Sequence, residues 1–129
     1  MTNNCFDESP LGVFHMEGEY AIPQGADWDT TITYQENGVT VDFTGYSARM
    51  QVRTDYGKAI IAELTTTNNS IVLGTGVGDT PNVILKWTPA LTSPLTIYEG
   101  IYDLELTSAT GKVLKFLEGR WSLRKEVTV

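Results

Sequence analysis

Apolar and polar residues alternate along most of this chain with a period of two. Trp28, Thr30, Ile32 and Tyr34 share one face of an extended segment, and Asp29, Thr31 and Thr33 share the other. β-Branched and aromatic residues at that period predict a half-buried strand over 28–34. Asn37-Gly38 follows, and both residue types tolerate positive φ, which predicts a type I′ hairpin with a short strand resuming at Val39 and Val41. Tyr46, Ala48, Met50 and Val52 alternate next, closed by a turn at Asp55-Tyr56-Gly57 and a returning strand over 59–64. Asn68-Asn69 predicts another turn, ahead of the apolar run 71–73.

A glycine-rich stretch over 74–81 separates that run from a strand over 83–87. Pro89 and Pro94 leave room for one short helical turn and nothing longer. In the last third, Tyr102, Leu104 and Leu106 alternate with Ile101, Asp103 and Glu105. Ala109-Thr110-Gly111 turns the chain into a strand over 113–117, and a final strand puts Trp121, Leu123 and Val127 inward. Helical spacing of apolar residues is nowhere sustained. About eight strands with turn signals every 8–12 residues predict an all-β sandwich or barrel, mostly antiparallel, over 17–129. Residues 1–16 lack this pattern and carry only Phe6, Leu11, Val13 and Phe14 as apolar anchors. They read either as a frayed terminus or as an extended arm that docks on a neighbouring subunit.

Length and composition narrow the picture. The 129 residues suit one domain, and 41% hydrophobic residues suit a packed core. Sixteen acidic against nine basic residues give a net charge of −7, which disfavours nucleic acid and anionic membrane surfaces as partners. Cys5 is the one cysteine, so no internal disulfide forms, and its place in a polar tail reads as an ordinary free thiol. The N-terminus shows neither the basic region nor the apolar run of a secretion signal, so synthesis in a cytoplasm is expected.

Catalytic chemistry finds little support. His15, the one histidine, has no Cys or His at ligand spacing, and one Cys with one His cannot complete a zinc site. Asp103 and Glu105 project from one strand face about 7 Å apart, a separation that glycoside hydrolysis allows. The plainer reading makes them solvent-facing positions opposite Tyr102, Leu104 and Leu106. Asp27 and Asp29 match no calcium-loop spacing. The glycine loop lacks the Lys-Ser/Thr ending of a phosphate cradle and no helix follows it, which leaves its tip, Gly76 and Val77, as a contact surface. No enzyme activity, cofactor or metal is expected. Alternation assigns Trp28 and Trp121 to the core and leaves Trp87, beside Pro89, as the one candidate for a ligand platform.

One arrangement goes beyond periodicity. Asp42-Phe43-Thr44-Gly45-Tyr46 precedes Arg49-Met50-Gln51-Val52-Arg53, and Gly100-Ile101-Tyr102-Asp103-Leu104 precedes Gly119-Arg120-Trp121, with Val127-Thr128 near the end. This order resembles small virion proteins of tailed bacteriophages, over roughly residues 20–129. The resemblance implies an immunoglobulin-like β-sandwich used at a tail tip, collar or baseplate, in a ring that attaches tail fibres. It implies a virion location after synthesis in the host cytoplasm, with partners that are copies of itself, other tail proteins and tail fibres. Phe6 and Phe14 on the arm, the loop tip at Gly76 and Val77, and the outward Arg49, Arg53, Arg120 and Arg124 are the candidate interface residues. The rival expectation is a carbohydrate- or receptor-binding module on the same scaffold, with Trp87 exposed.

Overall fold

The computed structural model describes residues 12–75 and 81–125. Phe6, Gly76 and Val77, together with Cys5 and Val127, lie outside the described residues. The strands, in chain order, are β1 (Gly12–Val13), β2 (Ile22–Pro23), β3 (Trp28–Ile32), β4 (Gln35–Glu36), β5 (Val39–Thr40), β6 (Ser47–Arg53), β7 (Ile60–Thr65), β8 (Ile71–Leu73), β9 (Val83–Trp87), β10 (Glu99–Thr107) and β11 (Val113–Arg124). A 3-10 turn at Gly18–Tyr20 and one helical turn, α1 (Pro89–Thr92), complete the described elements. The protein is all-β, as the alternation predicts.

The larger sheet has the order β1-β11-β10-β6-β7, with β2 also pairing to β11; a three-stranded sheet runs β3-β9-β8. β4 and β5 form the expected hairpin, with Asn37 and Gly38 at φ 53° and 78°. Pairing is antiparallel except where β1 and β2 run parallel to β11.

Period-two alternation becomes core because cross-strand partners share a face. Leu104 pairs with Met50, Tyr102 with Val52 and Leu106 with Ala48, while Met50 and Val52 pair onward with Leu64 and Ala62. All are buried. Burying each large apolar side chain stabilises the fold by roughly 1.5–3 kcal/mol. The two sheets meet through Trp87 of β9 and Trp121 of β11, whose ring centroids lie 6.3 Å apart. Among the described residues the Trp121 Nε1–H finds no acceptor. At the other end Tyr34, Phe43, Tyr46 and Phe116 form an aromatic cluster with centroid separations of 5.0–6.2 Å.

The expected strands over 113–117 and from Trp121 are one twelve-residue strand, β11. Leu104 pairs with Leu117 but Glu105 with Lys115, so Phe116 is an extra residue in a bulge. The bulge turns both Phe116 and Leu117 inward and reverses the phase of alternation. A phase reversal followed by Gly119 reads in sequence as two strands. In three dimensions the glycine is required by a close approach: a Cβ there would lie 2.1 Å from the Phe14 carbonyl oxygen.

The boundary expected at residue 16 is crossed by structure. The chain from 12 to 16 runs along β11 of its own domain, with Phe14 N–H donating to Glu118 O (3.0 Å) and Met16 N–H to Arg120 O (2.8 Å). The Tyr102 hydroxyl donates to Phe14 O (2.5 Å), and Met16 is fully buried. These five residues belong to the sandwich, and with β2 they cover the edge of β11.

Candidate functional site

The motif that opens with Asp42 is a turn machine. Tyr46 N–H donates to Phe43 O (3.0 Å), and Gly45 takes φ 84° at the third position, as a type II turn requires. The Thr44 hydroxyl (2.6 Å) and backbone N–H (2.8 Å) both donate to Asp42 Oδ1 and hold its carboxyl below the usual range. Tyr102 and Trp121 are core residues. The turn residues, Tyr102 and Trp121 therefore have structural duties.

Three of the four outward arginines, Arg49, Arg53 and Arg120, have partners on their own chain. Arg49 faces Glu105 at 3.5 Å, and Arg53 donates to Gln51 Oε1 (3.0 Å) and to the Lys58 carbonyl. Gln51 in turn donates to Glu63 (2.9 Å), and Lys115 pairs with Asp103. Arg120 holds Glu17 through its Nη2 (3.0 Å) and Nε (3.2 Å). That hydrogen-bonded pairing lowers the Glu17 carboxyl and raises the Arg120 guanidinium from their ordinary values. Arg124 stands exposed at the end of β11. Exposed pairs of this kind contribute little to stability and are easily exchanged for a partner's charges. Asp103 and Glu105, the carboxylates with glycosidase-like spacing, are members of this surface ladder.

His15 also has a structural place. Its Nδ1 accepts the Arg120 backbone N–H (2.9 Å), which Phe14 O would otherwise take in a regular ladder. No group of three or more metal-capable side chains occurs among the described residues.

The tryptophans exchange their expected roles. Trp87, the expected platform, is 1% exposed and donates its Nε1–H to the Thr30 hydroxyl (3.2 Å). Trp28, expected in the core, is 38% exposed. The two are directly paired across β3 and β9 and share the inner face. β9 is the central strand, so Trp87 lies over Trp121. β3 is an edge, so Trp28 overhangs the mouth of the sandwich. Alternation assigns a face; it cannot assign a distance from the sheet edge.

Across that mouth stands the N-terminal segment. Phe14, expected at a subunit interface, is half-buried against its own core and meets Tyr20 edge-to-face with centroids 5.4 Å apart. Tyr20 is 53% exposed. Phe14 and Tyr20 line one side of an open groove of about 360 Å³, and the edge of β3 from Trp28 to Thr31 lines the other. Gln24 and Gly25 fix where β3 starts: Gln24 N–H donates to Arg124 O (2.8 Å) and Gly25 N–H to the buried Thr92 hydroxyl (2.9 Å). Tyr20 and Trp28 were missed as surface residues, although a strand's first residue is a natural place for an inward side chain to escape the core.

The described edges differ in how they are guarded. The β11 edge is covered by β1 and β2. β7 carries Glu63 and a register shift against β6, and β8 is three residues long. β3 pairs five residues with β9 in unbroken register and carries no proline, lysine or bulge. Charged side chains, proline, bulges and shortness are the devices that keep edges from pairing, and among its described residues β3 carries only Asp29. No protein-family model matches the chain, and no curated protein matches it either.

Proposed function

We propose that this chain is a structural component of a tailed-bacteriophage virion, an assembly module and not an enzyme. In this reading it forms a ring at the tail tip, collar or baseplate and joins tail fibres to the tail. Its partners are further copies of itself and other tail proteins, with no nucleic acid or membrane contact. The observation that carries the assembly reading is the β3 edge, which among the described residues is guarded only by Asp29; the ring of copies rests on the resemblance and would use other faces. Soluble sandwiches normally blunt such edges, so one left open argues for a partner that closes it. The resemblance of the Asp42–Tyr46, Gly100–Leu104 and Gly119–Trp121 motifs supplies the virion setting.

The test is the mass of the purified full chain by light scattering, with negative-stain images of the same fractions. A discrete closed oligomer is expected, retained or weakened when residues 1–11 are removed. Truncation must stop there, because Met16 belongs to the core. A strict monomer at high concentration, unchanged by purified tail proteins, overturns the reading. Saccharide binding is the second reading. It is favoured by the exposed Tyr20 and Trp28 rings beside Asp29 and two threonines, and it requires a glycan signal lost in Trp28→Ala.

A further inference from the structure

We propose that the β3 edge accepts an extended segment of a partner polypeptide as an added strand, apolar at alternate positions and basic at those between. This deepens the assembly reading by naming the partner's chemistry, and it can fail independently of the virion setting.

Backbone geometry comes first. In an antiparallel pair, residues alternate between those that direct both backbone groups at the partner and those that direct them away. Along the five residues of β3 roughly two or three therefore offer N–H and C=O to an incoming strand. The register with β9 is regular throughout, so these groups lie in a line. A sugar could use some of them, but only a second backbone matches their repeat.

The groove supplies the side-chain preference. Trp28 and Thr30 point inward, so an added strand would place its own alternate side chains on that same face. There they would enter the mouth between Trp28 and the Phe14–Tyr20 wall. The groove of about 360 Å³ is lined by the outward Asp29 and Thr31 as well as by Trp28 and Thr30, so it runs along the β3 edge, where the added strand itself would lie. Exposed aromatic rings flanking such a space are the usual anchors of protein recognition.

Charge sets the intervening positions. Asp29 and Thr31 project to the outer face and are exposed. Asp27 and Glu19 are exposed close by in sequence. Among the described residues Asp29 pairs with Lys86, at 3.7 Å between two exposed groups. A Lys or Arg directly opposite Asp29 would form a favourable cross-strand pair, and the chain's net charge of −7 would draw in a basic segment. A second copy of β3 would bring another Asp29 and the same net negative charge, which disfavours self-pairing.

The structure provides its own reporter. Trp87 and Trp121 are 1% and 0% exposed, so acrylamide quenching of the intact chain reads Trp28. The full chain is titrated with a ten-residue peptide alternating valine and lysine. Controls are the valine–glutamate counterpart and a valine–lysine peptide N-methylated at alternate residues. The expected result is protection of Trp28 by the valine–lysine peptide, weakened by salt, absent with both controls and absent in Trp28→Phe. Thr31→Lys, at an exposed position, should weaken the peptide about tenfold without unfolding the chain.

Equal protection by the N-methylated peptide overturns strand addition, since side chains alone would then suffice. Protection by chitotetraose or maltotetraose and by no peptide overturns it in favour of a saccharide. Protection that rises with protein concentration alone overturns it in favour of a second copy. Peptide protection in a chain that never forms a closed oligomer would sink the ring while leaving this inference standing.

Discussion

Asn82 is fully buried just before β9, and its side-chain amide stands in for a neighbouring strand. Its Oδ1 accepts the Tyr34 N–H (2.8 Å), and its Nδ2 donates to Tyr34 O (3.0 Å) and Val41 O (2.8 Å). Replacing it by alanine removes three hydrogen bonds; the Tyr34 N–H loses its Asn82 acceptor, whereas Tyr34 O keeps the Val41 N–H (3.1 Å). Losing the partner of the buried N–H costs about 1–3 kcal/mol, and each of the two carbonyl bonds about 0.5–1.5 kcal/mol. Water entering the vacated space recovers a fraction, so Asn82→Ala should destabilise the fold by about 2–4 kcal/mol. Domains of this size are stable by only about 5–15 kcal/mol, so the loss is large and easily read by urea denaturation with linear extrapolation.

Asn82→Asp sharpens the test. A carboxylate oxygen would replace the donor that faces two carbonyl oxygens, so burial and repulsion raise the folded-state pKa of the introduced carboxyl above its unfolded value of about 3.9. With a raised folded pKa, the variant is most nearly native below the unfolded value and loses stability as pH rises through the folded one. Near neutrality it should be less stable than Asn82→Ala, and on acidification the gap should close. A loss under about 1 kcal/mol for Asn82→Ala, or an aspartate variant as stable as wild type near neutrality, would refute the reasoning.

Three further outcomes are expected. Gly119→Ala drives a Cβ onto the Phe14 carbonyl and should cost about 2–3 kcal/mol by overpacking, with hydrogen exchange accelerating first at the Phe14 and Met16 amides; exchange unchanged there would show that the N-terminal segment is not seated by this contact. Thr44→Val removes the larger cause of the low Asp42 pKa, so the Asp42 carboxyl titration read by NMR should move up toward the ordinary range. Because the folded value is depressed, the turn's contribution is present above the unfolded value and lost as pH falls through the folded one; an unmoved midpoint would exclude the hydroxyl as cause. Gly45→Ala must adopt φ near 84° beside Ala109 and should cost about 1–2 kcal/mol in thermal unfolding, whereas a neutral effect would mean the turn relaxes freely.

Much of the fold is legible along the chain because strand side chains alternate and the core is one-sided. Ala48, Met50 and Val52, or Tyr102, Leu104 and Leu106, need only a period of two to be placed inward, and Asn37-Gly38 and Gly45 need only their tolerance of positive φ. Acidic balance, the lone Cys5 and the lone His15 are equally plain to read. What the tertiary structure alone decides are quantities that no single strand contains. Whether Trp28 or Trp87 meets solvent depends on which strand is the sheet's edge. Whether Phe116 and Leu117 both turn inward depends on a bulge against Glu105. Residues 12–16 join the sandwich because Gly119 leaves room for the Phe14 carbonyl and β11 has a free side. The open β3 edge and its groove arise the same way, from long-range pairing order. Local alternation encodes the face of each residue, while its neighbours across the sheet determine whether that face ends in core or in water.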